Sequence, residues 1–478
     1  MENKIGFGQV GKKIGLSVFA QIISLAVSFV LNLIVPKIID EHQYAYWQTY
    51  VLYISYVGIL HFGLLDGIVL RYSQYNYEEL DRPRLRSQFQ LLLGFTSFIA
   101  FAGICIAFFF DEITKEILIL LACGVITKNI FAYTSYTFQI TNRIHKYAFL
   151  VVSQKLFYGD GVGVLLLLGA REFYWFCIFD LLGDLFGTVL GAFYNRGLYF
   201  GKTLKLRDVL TETRLNISSG AMLLVANWSS MLLVGSAKMM VQWHFDDLVF
   251  GKVSFAFSLS NLFLSFVTAI SVVLFPTLKR MEPEQLPRLY RTIRDVISPF
   301  LFFIMLLYFP GSWILERWLP AYEPSLVYLG ILLPIVVYSS KVSLLTNNYL
   351  KAYRKERMML IVNLISILVA LLLFSVCVFL FENLTALLIC VVLVIMLRSV
   401  ASEVIVMRLI GDRFVLDFIT EGIMTVAFIV SASVFDLFWA FCIYAAALVA
   451  YLVYNRKTIR RFFTAIRTKL KGLKGHQT

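Results

Sequence analysis

Fourteen mainly apolar runs occupy almost the whole chain, most of them long enough to cross a bilayer, and very few architectures can accommodate that pattern. A membrane helix needs about 20 apolar residues. In lipid every backbone N–H and C=O must be satisfied within the protein, so runs of this length predict helices. They fall at 14–39, 44–71, 87–110, 115–140, 147–168, 172–194, 214–241, 249–276, 295–315, 326–350, 358–380, 384–410, 418–435 and 437–454. Hydrophobic residues make up 59% of the 478 positions and charged ones only 15%, too few to cover the surface of a soluble domain of that size. The expected fold class is therefore an all-α integral membrane protein with about 14 transmembrane helices. The stretches between runs are too short to hold an extramembrane domain.

The net charge of +13 raises nucleic-acid binding, but the basic residues sit in short loops between apolar runs, the pattern that sets membrane orientation. Alternate loops carry Lys4/Lys12/Lys13, Arg82/Arg84/Arg86, Arg143/Lys146, Arg196/Lys202/Lys205/Arg207, Lys279/Arg280/Arg288, Lys351/Arg354/Lys355/Arg357, Arg408/Arg413 and the C-terminal tail. The opposite loops hold little beyond Lys37, Lys115, Arg171 and Arg317. Both termini are thus expected in the cytoplasm, and nucleic acid is not an expected partner. Six of the seven tryptophans, all but Trp228, lie at the opposite ends of the proposed spans, where the membrane–water interface favours them. The first run is too long for a signal peptide's apolar region and lacks a small-residue cleavage site, so it reads as a span. Residues Arg456 to Lys474 place Ile459, Phe462, Phe463, Ile466, Leu470 and Leu473 at helical spacing among eight basic residues, as an amphipathic helix on anionic lipid would.

Spans one and two followed by the basic loop at Arg82 resemble spans seven and eight followed by the one at Lys279, with acidic, His-containing turns Asp40-Glu41-His42 and His244-Phe245-Asp246-Asp247 on the far side. The expected organisation is a six-helix lobe over 1–194, a linker over 195–213, a second six-helix lobe over 214–410, an extra pair of spans over 411–454 and the basic tail over 455–478. Internal repeats of this kind are the usual architecture of secondary transporters.

At this point the chain resembles a family. The segments Gly15-Leu16-Ser17…Gln21, Pro36…Tyr44-Ala45-Tyr46-Trp47, Phe62-Gly63-Leu64-Leu65-Asp66-Gly67-Ile68…Arg71-Tyr72, Asp247…Phe250-Gly251-Lys252-Val253-Ser254 and Phe275-Pro276…Lys279-Arg280 are similar to the polysaccharide (O-antigen type) flippases. These belong to the multidrug/oligosaccharidyl-lipid/polysaccharide (MOP) exporter superfamily, and the likeness runs along about the whole chain. It implies two six-helix bundles and transfer of an undecaprenyl-diphosphate-linked oligosaccharide from the inner to the outer leaflet by alternating access. It also implies contacts with other polysaccharide-assembly proteins, and a coupling ion, H+ or Na+, in place of any cofactor. Span one has no intramembrane Arg or Lys, which departs from the cationic gates of lipid II flippases and leaves the sugar unit open.

An unpaired charge at mid-bilayer costs about 2.5–3.5 kcal/mol even on lenient scales, so charges within the spans need partners or a task. Counting from the basic-loop ends, Lys155 lies about 12 Å deep, Asp184 about 15 Å, Lys128 about 18 Å, and Asp160 and Asp180 about 20 Å. All five would share one layer of the first lobe. In the second lobe Lys341 lies about 14 Å deep and Arg398 about 18 Å, with Glu403 nearer the end. Lys128, Lys155, Lys341 and Arg398 are candidates for binding the diphosphate, and Asp160, Asp180 and Asp184 for the coupling ion. The competing reading is that Lys128 and Lys155 only neutralise the aspartates. Asp66 with Arg71 would form a gate ion pair or an interfacial anchor, and Lys238 and Lys252 would gate or snorkel. Gly183, Gly187 and Gly191 form a packing ridge, with Gly159, Gly161 and Gly163 as the expected counter-surface, and Pro299 and Pro334 are candidate kinks.

Catalytic and metal-binding motifs are not apparent. The six cysteines form no CxxC pair, and Gly197-Leu198-Tyr199-Phe200-Gly201-Lys202-Thr203 has three residues between its glycines where a P-loop needs four. Two alternatives to a flippase remain: a cation-coupled drug exporter, which would want an acidic cavity, and a membrane glycan polymerase or ligase. The enzyme is disfavoured because the longest outer connection, Glu316 to Ser325, is only about ten residues.

Overall fold

The computed structural model describes the backbone of residues 7–141, 143–279, 283–411 and 415–456, and side chains from Ile22 onward apart from 142, 266–283 and 412–415. Among the described residues every regular element is a helix. Each apolar run has its helical counterpart. Among the described residues eleven helices are long and apolar enough to cross a membrane, thirteen when each of two bent pairs counts as one span. The first helix adds the apolar stretch Ile22–Ile38, just short of that length, which brings the correspondence to all fourteen runs. The amphipathic tail expected beyond Arg456 lies outside the described residues.

Contacts gather the chain into two compact units, Met1–Ser254 and Phe255–Thr478. The first holds α1 (Phe7–Ile38), α2 (Glu41–Ile54), α3 (Leu64–Tyr72), α4 (Arg82–Ala107), α5 (Glu112–Ile140), α6 (Ile144–Leu167), α7 (Phe173–Tyr194) and α8 (Leu206–His244), and α9 (Asp247–Lys279) begins in it. The second unit holds α10 (Leu286–Met305), α11 (Tyr308–Trp318), α12 (Glu323–Leu332), α13 (Pro334–Lys341), α14 (Asn347–Ala352), α15 (Glu356–Ser375), α16 (Leu384–Ile410), α17 (Val415–Val434) and α18 (Leu437–Tyr454). The far-side tryptophans Trp175, Trp243, Trp313, Trp318 and Trp439 are exposed, as interfacial anchors are, whereas Trp47 and Trp228 are buried.

Span two is broken. Its α2 and α3 parts meet at 58°, across Phe62 and Gly63, both in the left-handed region at φ of 50° and 86°. Below the break α3 lies against α8 at backbone distance. A Cβ on Gly67 would overlap the Asn216 carbonyl, and one on Gly220 would overlap backbone atoms of Gly63 and Gly67. Small residues let membrane helices approach this closely, and side chains larger than hydrogen would part them. In span ten, Pro334 begins α13 at a 43° bend, and a π-helical turn, Val342–Thr346, follows Lys341.

The glycine ridge of α7 packs as expected, with Gly183 and Gly187 against Gln154 of α6 and Gly191 against Thr134 of α5. The expected glycine counter-surface is not used. Gly159 faces Val27 of α1, Gly161 faces Phe179, and Gly163 is open. Gly161 points about 160° away from Gly159 and Gly163 around the helix, so the three cannot form one face. The P-loop look-alike is a folded turn. Arg86 donates to the carbonyls of Gly197 and Lys202, and Gly201 adopts φ +125° beneath that guanidinium.

Candidate functional site

In the first unit, α5, α6, α7 and α2 bring their charged and polar side chains to one place. Asp180 and Asp184, one helical turn apart on α7, share a face, and the Lys128 ammonium of α5 sits between them at 2.8 Å from each. Tyr50 of α2 donates to Asp180 at 3.1 Å, and Gln154 of α6 donates to Asp184 at 3.1 Å. Lys155, next in sequence to Gln154, is within electrostatic reach of both aspartates and of Lys128. Among the described residues it makes no ion pair. Its ammonium lies 5.9 Å from the Tyr158 ring. Two acids and two lysines thus balance in charge, with one lysine clamped and the other uncommitted. Asp160 does not join them: it is exposed, and five residues from Lys155 it lies about 140° around α6.

The second unit contains a denser ionic cage. Arg294 of α10 contacts Glu403 of α16 at 2.8 Å, Asp417 of α17 at 2.7 Å and Glu421 of α17 at 3.3 Å. Lys341 of α13 pairs with Glu403, and with Glu421 at 2.6 Å, and Ser298 donates to Glu421 at 2.9 Å. Lys341 and Glu403 are 0% exposed, Glu421 1% and Arg294 2%, so only Asp417 reaches solvent or lipid. The cage ties the thirteenth span to three helices of its unit. Sequence reading singled out Lys341, which is buried, but missed Arg294 and Glu421, which are its context. Arg398 is elsewhere on α16, buried, and donates to Asn363 at 2.9 Å.

The four expected gate residues are dispersed. Arg71 does not pair with Asp66; it turns to Glu212 of α8 at 2.5 Å and to Asn216. Glu212 also receives the Tyr72 hydroxyl at 2.7 Å and lies 3.7 Å from Arg84. The reason is again angular, since residues five apart on α3 point about 140° away from each other. Asp66 is buried, with its Oδ2 3.8 Å from His61 Nε2. Lys252 bridges to Glu41 at 3.1 Å near the tryptophan end, and Lys238 lies 5.9 Å from the Phe250 ring. Among the described residues no group of three or more His, Cys, Asp or Glu side chains is placed to hold a metal.

Two helical units, broken spans and charge clusters buried within the bundles define a polytopic helical membrane protein, and its fold is that of solved MOP superfamily structures. No protein-family model and no curated sequence matches it. Among solved structures it is similar to the lipid II flippase MurJ in an inward-closed conformation, with a TM-score of 0.65, 13% identity, and coverage of 93% of this chain and 98% of that one. An inward-facing multidrug resistance MATE family transporter matches with a TM-score of 0.62 and 11% identity over 82% of this chain and 98% of its own. A MOP superfamily transporter from Pyrococcus furiosus, described by a reversed polarity of its binding pocket, has a TM-score of 0.51 and 13% identity over 84% and 96%.

Proposed function

We propose that this protein flips an undecaprenyl-diphosphate-linked oligosaccharide, a repeat unit of O-antigen, capsule or another polysaccharide, from the inner to the outer leaflet of the bacterial inner membrane by ion-coupled alternating access. The observation that carries this reading is the extent of the likeness to a lipid flippase. The 7% of this chain left unaligned with MurJ is shorter than α17 and α18 together, so that alignment extends into the extra helix pair. The 16–18% left unaligned with the transporters from the MATE family and Pyrococcus is long enough to contain the pair. The resemblance of the sequence to polysaccharide flippases supports the same choice.

Of the four candidate cations for the diphosphate, Lys128 and Lys341 are already held by carboxylates. Lys155 is the better substrate ligand in this reading, because it makes no ion pair among the described residues and a phosphate oxygen gains most from such a cation, while Arg398, which donates to Asn363, stays the second candidate. Asp180 and Asp184, sharing Lys128, are the coupling-ion candidates that stay together, and both termini face the cytoplasm.

The test is depletion of the protein in its host, followed by assay of lipid-linked oligosaccharide on the inner leaflet. Accumulation, relieved by wild type but not by Lys155→Ala, supports the proposal. Unchanged lipid-linked sugar together with new sensitivity to cationic drugs would replace it with the exporter reading.

A further inference from the structure

Asp66 is a carboxylate buried inside a membrane span without a matching cation. Its side chain is 9% exposed, and its Oδ2 has no hydrogen-bond partner. Arg71, the cation nearest in sequence, is engaged by Glu212 and Asn216. Among the described residues no charged side chain of the helices packed around α3 forms an ion pair with Asp66. Arg84 of α4 reaches Glu212, Lys128 of α5 is held by Asp180 and Asp184, and Tyr136 of α5 is a neutral phenol within electrostatic reach of Asp66. What remains opposite Asp66 is His61, 8% exposed, with Nε2 at 3.8 Å.

The tautomer of His61 is set by the break itself. Its Nδ1 accepts the Gly63 N–H at 3.1 Å, so in the neutral ring the hydrogen is on Nε2, the atom facing Asp66. Gly63 is the residue at φ 86° that caps α3 and turns the span through 58°.

We propose that Asp66 and His61 form a proton-binding site at the break in span two. An unpaired ionised carboxylate in this setting is strongly disfavoured. The first proton, taken from water, therefore resides on Asp66 or, as an imidazolium, on the Nε2-facing His61 beside it. With Asp66 protonated and His61 neutral the pair carries no charge and Nδ1 still accepts from Gly63. With the proton on the imidazole, both ring nitrogens become donors, and the Gly63 N–H loses its acceptor. The charge state of the pair is thereby tied to the hydrogen bond that caps α3, and proton uptake or release changes how the span is held at its break. Its service as a coupling site besides Asp180 and Asp184 rests on the flippase reading, whereas proton binding itself does not.

The experiment is pH-difference infrared spectroscopy of the full chain in lipid nanodiscs, following the carbonyl stretch of protonated carboxylic acids. Wild type is expected to show a titrating band that is absent from the difference spectrum of Asp66→Asn. His61→Gln is expected to keep that band to higher pH, because the imidazolium that would stabilise the carboxylate is gone. Identical difference spectra for wild type and Asp66→Asn would overturn the proposal. Should Asp66→Asn fail to assemble, an unmoved band in His61→Gln would do so. In proteoliposomes, Asp66→Asn that still moves lipid-linked sugar but ignores an imposed pH gradient supports the coupling role. Absence of translocation by wild type, with the infrared band intact, would sink the flippase reading and leave the proton site standing.

Discussion

Lys341 separates a substrate ligand from a structural cation, because the two roles predict opposite behaviour when it is replaced. Its ammonium is held by Glu403 and by Glu421 at 2.6 Å, and all three side chains are essentially sealed. Removing one partner of a buried ion pair while leaving the other typically costs about 3–5 kcal/mol. Lys341→Met would leave Arg294 alone facing three carboxylates, of which Glu403 and Glu421 cannot rehydrate. For a unit of this size each kcal/mol lowers the melting midpoint by about 2–4 °C, so the expected drop is about 6–20 °C. The companion variant Glu421→Gln in the Lys341→Met background removes one of the stranded anions. It should recover part of the loss, with a coupling of about 1–3 kcal/mol in the double-mutant cycle. The assay is a thermal melt of the detergent-purified protein by intrinsic fluorescence. A Lys341→Met protein that melts with wild type and loses only translocation would refute this reasoning and return Lys341 to the substrate.

Lys155→Ala should behave in the reverse manner, reducing lipid-linked sugar translocation at least tenfold while the melting midpoint moves by less than about 2 °C, since it breaks no ion pair and Lys128 keeps both aspartates. Gly220→Leu should destabilise the first unit by about 3 kcal/mol or more, because its side chain would have to occupy the backbone of Gly63 and Gly67, and limited proteolysis of the linker should report it. Glu212→Gln, which weakens the contacts of Arg71, Tyr72 and Arg84 together, should cost about 1–3 kcal/mol and render a cysteine placed at Thr213 more reactive to water-soluble maleimide. At the α4–α5 turn, hydrogen bonds from Thr114 hold the Asp111 carboxyl below its ordinary value. A depressed carboxyl stabilises the folded turn above the ordinary range near about pH 4 and loses that contribution as pH falls through the folded value. Asp111→Ala should remove this acid dependence of amide exchange at residues 112–115.

The spans were readable because lipid imposes a length on them, and a run of about 20 apolar residues is a direct imprint of that length. Position along the helices was readable too. Lys128, Asp180 and Asp184 share a layer as the count of residues from the helix ends predicts. Azimuth was not. Asp160 has a depth similar to that of Asp180 yet points elsewhere, and Asp66 and Arg71 lie on one short helix but face different neighbours. Arg294 stands at the edge of its apolar run, where a charge reads as an interfacial anchor, and only the covering helix α17, bringing Glu421, makes it interior. Partnerships across 80 to 141 residues, such as Lys341 with Glu421 or Arg71 with Glu212, leave no local trace in the chain. Proline was a partial guide: of the two candidate kinks Pro334 marks a bent span, whereas Pro299 lies inside the continuous α10, in a span that is not one of the bent pairs, and the other bend falls at Gly63, which the sequence did not single out as a bend.

The π-helical turn at Val342–Thr346 amounts to one surplus residue wound into span ten. Deleting a single amino acid there would let the segment relax to ordinary α pitch while the helix on either side keeps its phase, so Asn348 and Tyr349 would stay on the faces they occupy relative to Lys341. Tyr349 would then keep the Leu286 carbonyl to which it donates at 3.1 Å. A one-residue gap should therefore be tolerated better in this turn than in the regular α-helical parts of the span, where it would rotate everything that follows by about 100°.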